Sequence, residues 1–288
     1  TSTSDPQPVT SPTGGTSLLV RLRAVRRLLG HDEPMELGLR DRVYVVSGAS
    51  RGLGFATAEV LVAEGARVVL CARDEDAVTG AAARLGGPDH AIGIAGDLAA
   101  PATADALVAA AMARYGRIDG AVISVGGPPH GAVEDISDEV WRSAFESVFL
   151  GPLRLARATL ATSTQEGVSI TFVLSTSVRA PLPGLALSNG LRPGLAMAAK
   201  TLADEFGPRG ARVNAILPGR IDTDRVRELD EATGRPQSTR REREQHIPLR
   251  RYGQPEEVGR VAAFVASPAA SYMTGAMVTV DGGSTRSL

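Results

Sequence analysis

A glycine-rich turn offers the clearest chemistry in the sequence. Ser47-Gly48-Ala49-Ser50-Arg51-Gly52-Leu53-Gly54 follows a short apolar run and opens a helical pattern. Glycines at 48, 52 and 54 permit a tight turn and close approach of a pyrophosphate to backbone N–H groups. They also permit close packing of the helix on a sheet. The spacing differs from GxGxxG and from a P-loop, which would end in Gly-Lys-Ser/Thr. The next apolar run ends Leu70-Cys71-Ala72-Arg73-Asp74. An acidic residue at that tip favours the free ribose 2′-hydroxyl of NAD, whereas arginine favours the extra phosphate of NADP. Arg73 at the tip and Arg51 in the turn make a clamp for one dianion, so NADP(H) is expected over NAD(H). Asp74 either caps the following helix or competes for the ribose. His130, in Gly127-Pro128-Pro129-His130-Gly131, is either a proton donor working near neutrality or a loop histidine bonded to backbone. His246 and Tyr252 either close over a ligand or pack locally.

These groups need a scaffold, and the punctuation of the chain supplies one. Apolar runs at 43–47, 67–71, 91–95, 118–124, 168–174, 213–217 and 276–280 read as strands. Helical patterns over 53–64, 77–85, 102–115, 137–162, 192–206 and 255–265 separate them. This alternation predicts an α/β fold: a Rossmann-like, doubly wound, parallel seven-stranded sheet flanked by helices. The expected division is a flexible leader over 1–34, with an amphipathic helix from Ser17 to Gly30, and a single NADP-binding domain over 35–288. The charged segment 222–252 leaves the carboxyl end of the sheet and reads as a solvated excursion or a substrate lid.

Over Leu39 to Gly283 the sequence resembles the short-chain dehydrogenase/reductase family, beginning with the glycine turn already described. Asp97-Leu98 follows strand three, where the resemblance implies an adenine contact. Pro218-Gly219-Arg220-Ile221-Asp222-Thr223 resembles the family's PGxIxT loop beside the nicotinamide, and Asn214 resembles its structural asparagine. Gln254-Pro255-Glu256-Glu257-Val258 and Asp281-Gly282-Gly283 complete the pattern. The resemblance implies strand order 3-2-1-4-5-6-7 and hydride transfer between nicotinamide C4 and a carbonyl or alcohol carbon. The alternative is a weak or silent NADP-binding protein serving regulation or assembly.

The catalytic positions depart from that family. Its active members carry Asn, Ser, Tyr and Lys, the last two as YxxxK, and no YxxxK occurs here. Ser175 matches the family's serine, which orients the substrate carbonyl; its alternative role is to cap the turn after its strand. Family spacing then brings Ser188 to the tyrosine position and Arg192 to the lysine position, within Ser188-Asn189-Gly190-Leu191-Arg192. Val148 stands for the asparagine, and Ser124-Val125-Gly126-Gly127 replaces the NNAG turn. A serine hydroxyl is a far weaker acid than tyrosine, and arginine does not serve as a neutral base. Ser188 is otherwise an N-cap of the following helix, with Pro193 in its first turn. Leu182, Leu185, Leu187, Leu191 and Leu195 line a pocket or pack beside it. The resemblance also implies a homotetramer, with a dimer as fallback, pairing through the helices at 137–162 and 192–206 and through contacts near the last strand. Ala156, Ala158, Ala196, Ala198 and Ala199 would allow close helix approach there, or pack only against their own sheet.

Composition narrows the field. The 288 residues are 43% hydrophobic, enough to bury a sizeable core without staples. One cysteine excludes an intramolecular disulfide framework and a thiolate zinc cluster, and the four histidines lack metal-ligand spacing, so no metal is expected. A net charge of -1 gives no electrostatic case for nucleic acid. No apolar stretch reaches the length of a membrane span, and a cytoplasmic protein is expected.

Overall fold

Runs such as Val43-Tyr44-Val45-Val46 are buried on both faces, which is what a parallel sheet covered by helices requires. The computed structural model describes residues 36–124, 126–163 and 167–287. The leader and its amphipathic segment lie outside the described residues. The strands are β1 (Val43–Ser47), β2 (Arg67–Ala72), β3 (Ala91–Ala95), β4 (Gly120–Ser124), β5 (Ser169–Val173), β6 (Arg212–Pro218) and β7 (Met277–Val280). They form one seven-stranded sheet in the order β3-β2-β1-β4-β5-β6-β7, with every neighbouring pair parallel. This is the doubly wound Rossmann-like sheet expected from the alternation. Its order reverses between β1 and β4, opening a crevice at the carboxyl edge.

The helices are α1 (Gly52–Ala63), α2 (Glu75–Arg84), α3 (Pro101–Tyr115), α4 (Asp138–Phe145), α5 (Gly151–Thr162), α6 (Ala186–Phe206), α7 (Asp224–Glu231), α8 (Pro236–Gln245) and α9 (Pro255–Ala266). Leu107, Leu155 and Leu195 of α3, α5 and α6 bury one sheet face with Phe172. Phe55, Val78 and Ala263 of α1, α2 and α9 bury the other. Buried cations and anions are satisfied locally. Arg212 donates to the carbonyls of Val265, Ala266, Ser267 and Ala270, tying down the end of α9. Asp119 accepts from Arg42, Arg117 and the Val43 amide.

Two expectations need correction. The helix read over 137–162 is interrupted by a π-turn at Glu146–Leu150, between α4 and α5. The helix read from 192 begins at Ala186, so Pro193 lies in its interior and Ser188 is not its N-cap. Tertiary contacts outweigh the local breakers there. The Asn189 side chain pairs with both the N–H and the carbonyl of Leu182, and Gly190 lets the helix backbone approach Trp141, whose ring lies 2.9 Å from where a Cβ would stand. Of the two alternatives for the alanines, packing within the subunit holds for Ala156, Ala196 and Ala199, which are buried in its core.

Candidate active site

The sequence-selected cofactor residues lie at the carboxyl edge of the sheet. Gly48 sits at φ +59° directly after β1, and a Cβ there would fall 2.5 Å from the Ser124 carbonyl oxygen. A Cβ on Gly54 would fall 2.4 Å from the Gly48 carbonyl. The turn is therefore a bare backbone cradle, with Ser50, Gly52 and Leu53 partly exposed along it. Arg51 is the N-cap of α1 but makes no side-chain cap, leaving the first helix N–H groups to meet an anion. These residues fit a dinucleotide's pyrophosphate.

Arg73 is exposed at the tip of β2. Asp74 is engaged as the N-cap of α2, accepting from the Ala77 amide at 2.8 Å, so the capping alternative holds in this structure. Arg51 pairs with Asp224 of α7 at 3.4 Å on the exposed surface. Asp97 accepts from the Ala99 amide within its own turn, and Leu98 is buried. Gly126 is exposed after β4. Pro218, the last residue of β6, is buried; beyond it Ile221 is buried, Gly219 packs against Asp281, and Thr223 caps α7 through the Val226 amide.

The segment after β5 gathers three hydroxyls. Ser175 is half-buried, and its Oγ accepts from the Ser177 amide at 3.1 Å. Ser177 Oγ and Ser188 Oγ share a buried hydrogen bond of 3.0 Å. A tyrosine hydroxyl would stand a full aromatic ring farther from the backbone, so Ser188 does not occupy that acid's place. Arg192 is buried and donates through one nitrogen to the carbonyls of Val173 and Leu174, at 3.2 and 2.8 Å. Burial alone pushes its guanidinium down to about 10, with no neighbouring carboxylate to hold it up. Val148 is buried within the π-turn.

His130 is exposed on the loop after β4 and hydrogen-bonds the Gly184 backbone. Burial of its ring, then the Arg225 guanidinium, holds it below the usual imidazole range. Tyr252 is buried, donating to Asp230 at 2.9 Å with Arg240 4.6 Å from its ring centroid, while His246 is exposed at the end of α8. Leu187 and Leu195 are fully packed, whereas Leu182 lines a surface groove.

The family profile described as enoyl-(acyl carrier protein) reductase matches residues 48–285. Human dehydrogenase/reductase SDR family member 4 is 32% identical over 248 residues, covering 85% of this chain and 88% of that protein. The chain belongs to the short-chain dehydrogenase/reductase family. Among solved relatives of this family, L-sorbose reductase from Gluconobacter frateurii, complexed with NADPH and L-sorbose, is 30% identical with a TM-score of 0.82. That likeness covers 88% of this chain and all of that one. A short-chain oxidoreductase from Pseudomonas aeruginosa PAO1, bound to NADPH and described as containing an atypical catalytic center, is also 30% identical. Its TM-score is 0.81, with the same coverage.

Several residues at the candidate site carry no signal in the sequence. Ser177 is hidden because family spacing leads from Ser175 directly to Ser188. The hub at Asp230, buried and shared by Arg220, Arg243 and Tyr252, is masked in sequence by the charged run around it. Arg225 has the same disguise, yet it reaches the β4 loop.

Proposed function

We propose that this short-chain dehydrogenase/reductase is an NADP(H)-dependent oxidoreductase acting on a carbonyl or alcohol substrate. The observation that carries the reading is the β1–α1 cradle: an uncapped helix start flanked by Arg51 and Arg73, with Asp74 withdrawn into a helix cap. Bound there, the nicotinamide would supply a hydride to the carbonyl carbon in reduction, while the oxygen takes a proton. Ser175 orients the substrate oxygen, and the Ser177–Ser188 pair fixes the loop that presents it. Arg192 contributes a fixed positive charge beneath the site, and His130 is the proton donor within reach of the β4 loop. Asp97 and Leu98 meet the adenine, with Gly126, Pro218, Gly219, Ile221 and Thr223 around the nicotinamide half.

The segment 222–252 acts as a lid. Asp224 reaches the glycine turn and Arg225 the β4 loop, so α7 spans from one side of the crevice to the other. Assembly as a homotetramer is supported by an apolar surface on the helices after β4 and β5. There Phe145 and Phe149 stack at 5.1 Å and Met197 is 64% exposed. Among the described residues no helix is long and apolar enough to cross a membrane.

A second reading, an NADP-binding protein with weak or no turnover, is favoured by one feature: Ser188 is already bonded to Ser177 rather than directed at a substrate. Turnover of NADPH against a panel of ketones and aldehydes separates the readings, since the silent protein binds the dinucleotide without consuming it.

A further inference from the structure

Arg225 lies on the first turn of α7 and crosses to the loop after β4. Its Nη2 donates to the Pro128 carbonyl at 3.3 Å, and its Nε lies 3.5 Å from where a Cβ on Gly127 would stand. Its acidic partner is Glu228, at 3.5 Å on the exposed surface. A guanidinium carries five N–H donors, so these two acceptors leave it well short of saturation. His130 follows two residues after Pro128, and the guanidiniums of Arg225, Arg220 and Arg243 all act on its ring. Arg220 and Arg243 share the single carboxylate of Asp230. These three cations meet two carboxylates, Glu228 and Asp230, while Glu134 and Asp135 stand exposed on the loop beyond Val133.

Beside His130 runs a groove of about 300 Å³ between the loop at 131–133 and the segment 181–189. Ala132, Val133, Pro181, Leu182, Pro183 and Ala186 make its walls apolar. Its polar side chain, Asn189, is spent on the Leu182 backbone. An arginine held on Pro128, three residues ahead of an apolar groove that begins at Gly131, matches a ligand with an anionic head and an apolar tail. A planar fork suits a carboxylate, and bidentate pairing supplies direction as well as energy.

We propose that Arg225 is a specificity-determining residue that seats the carboxylate of an oxo acid whose apolar tail lies in the groove beside Val133 and Pro181–Pro183. The inference rests on the oxidoreductase reading only for the carbonyl that the ligand carries; the carboxylate seat stands on Arg225 and its surroundings.

The test is calorimetric titration of the full chain with 4-oxo-4-phenylbutanoate, its methyl ester, and 4-oxopentanoate, which lacks the ring. A second acid–ester pair, 2-oxo-4-phenylbutanoate and its methyl ester, samples a shorter carboxylate spacing. Each is titrated with and without NADP⁺, so failure to bind the dinucleotide counts against the cofactor reading while the acid–ester comparison still scores Arg225. At least one phenyl acid should bind tenfold or more tightly than its ester, and the 4-oxo phenyl acid more tightly than 4-oxopentanoate. Arg225→Ala should bring acid and ester within about twofold of each other, and Arg225→Lys should restore part of the preference. Esters binding as tightly as both acids in the unmodified protein, or an acid preference that survives Arg225→Ala, overturns the proposal.

Discussion

Ser177 Oγ and Ser188 Oγ lie 3.0 Å apart, both buried, and each is the other's hydrogen-bond partner at the centre of the site. Removing one hydroxyl leaves the other unsatisfied, a loss of about 1–3 kcal/mol. Ser188→Ala should therefore lower the melting temperature while reducing kcat less than Ser175→Ala does. If Ser188→Ala abolished turnover with an unchanged melting temperature, Ser188 would be a reacting group rather than a support.

Ser175 has the opposite signature. The residue is half-buried and its Oγ accepts from the Ser177 amide, which leaves its own proton to donate, so Ser175→Ala should cut kcat on the order of 10²-fold, as loss of one oriented donor to a developing oxyanion does. NADPH affinity should change little. A fall in affinity equal to the fall in kcat would assign Ser175 to cofactor binding instead.

Cofactor choice follows from the two arginines. Arg73→Ala should weaken NADPH about tenfold or more and NADH less than twofold, because charge-assisted hydrogen bonds to the 2′-phosphate contribute about 1.5–3 kcal/mol. Arg51→Ala should act in the same direction. Since Asp224 engages Arg51 in an exposed pair worth about 0–1 kcal/mol, Asp224→Ala should tighten NADPH by at most about fivefold. Fluorescence titration of both dinucleotides at fixed salt measures all three. Equal loss for NADPH and NADH in Arg73→Ala would remove the clamp.

His130 sets a pH dependence. Its ring is held below the ordinary imidazole range by burial and by Arg225, so it gives up its proton at lower pH than a free histidine. As a donor in reduction it must start protonated. The rate should then rise as pH falls through that lowered value and decline above it. Arg225→Ala should move the His130 NMR titration upward, toward the free value. A titration that stays put would show that Arg225 does not act on the ring.

The segment proposed as a lid has its own keystone. Asp230 is buried and accepts from Arg220, Arg243 and the Tyr252 hydroxyl. Asp230→Ala strands two guanidiniums and should cost about 2–3 kcal/mol, toward the low side of a buried pair because both arginines remain partly exposed. Tyr252→Phe, which removes one bond, should cost about 1 kcal/mol. Thermal unfolding followed by circular dichroism orders the two variants.

The strands were legible because buried parallel strands write themselves as apolar runs, and Val43–Ser47 and Ala91–Ala95 begin and end where the runs do. The glycine turn was legible because its backbone geometry admits little else at 48 and 54. What stayed hidden depends on distant contacts. The early start of α6 rests on Asn189 holding Leu182, and on Gly190 meeting Trp141. The π-turn at Glu146–Leu150 leaves the helical apolar pattern intact, so periodicity passes over it. Ser177 and Arg225 look ordinary in sequence, and only the fold brings them to Ser188 and Pro128.

Reduction of a carbonyl by NADPH at this altered site is read from the absorbance of reduced nicotinamide bound to the full chain, mixed in turn with ketones, aldehydes, sugars, steroids, quinones and the two phenyl oxo acids. Bound NADPH should be oxidised stoichiometrically by at least one of them, with repeated turnover when NADPH is in excess. Saturable NADPH binding with no loss of absorbance across the whole panel would leave a binding protein and no reductase.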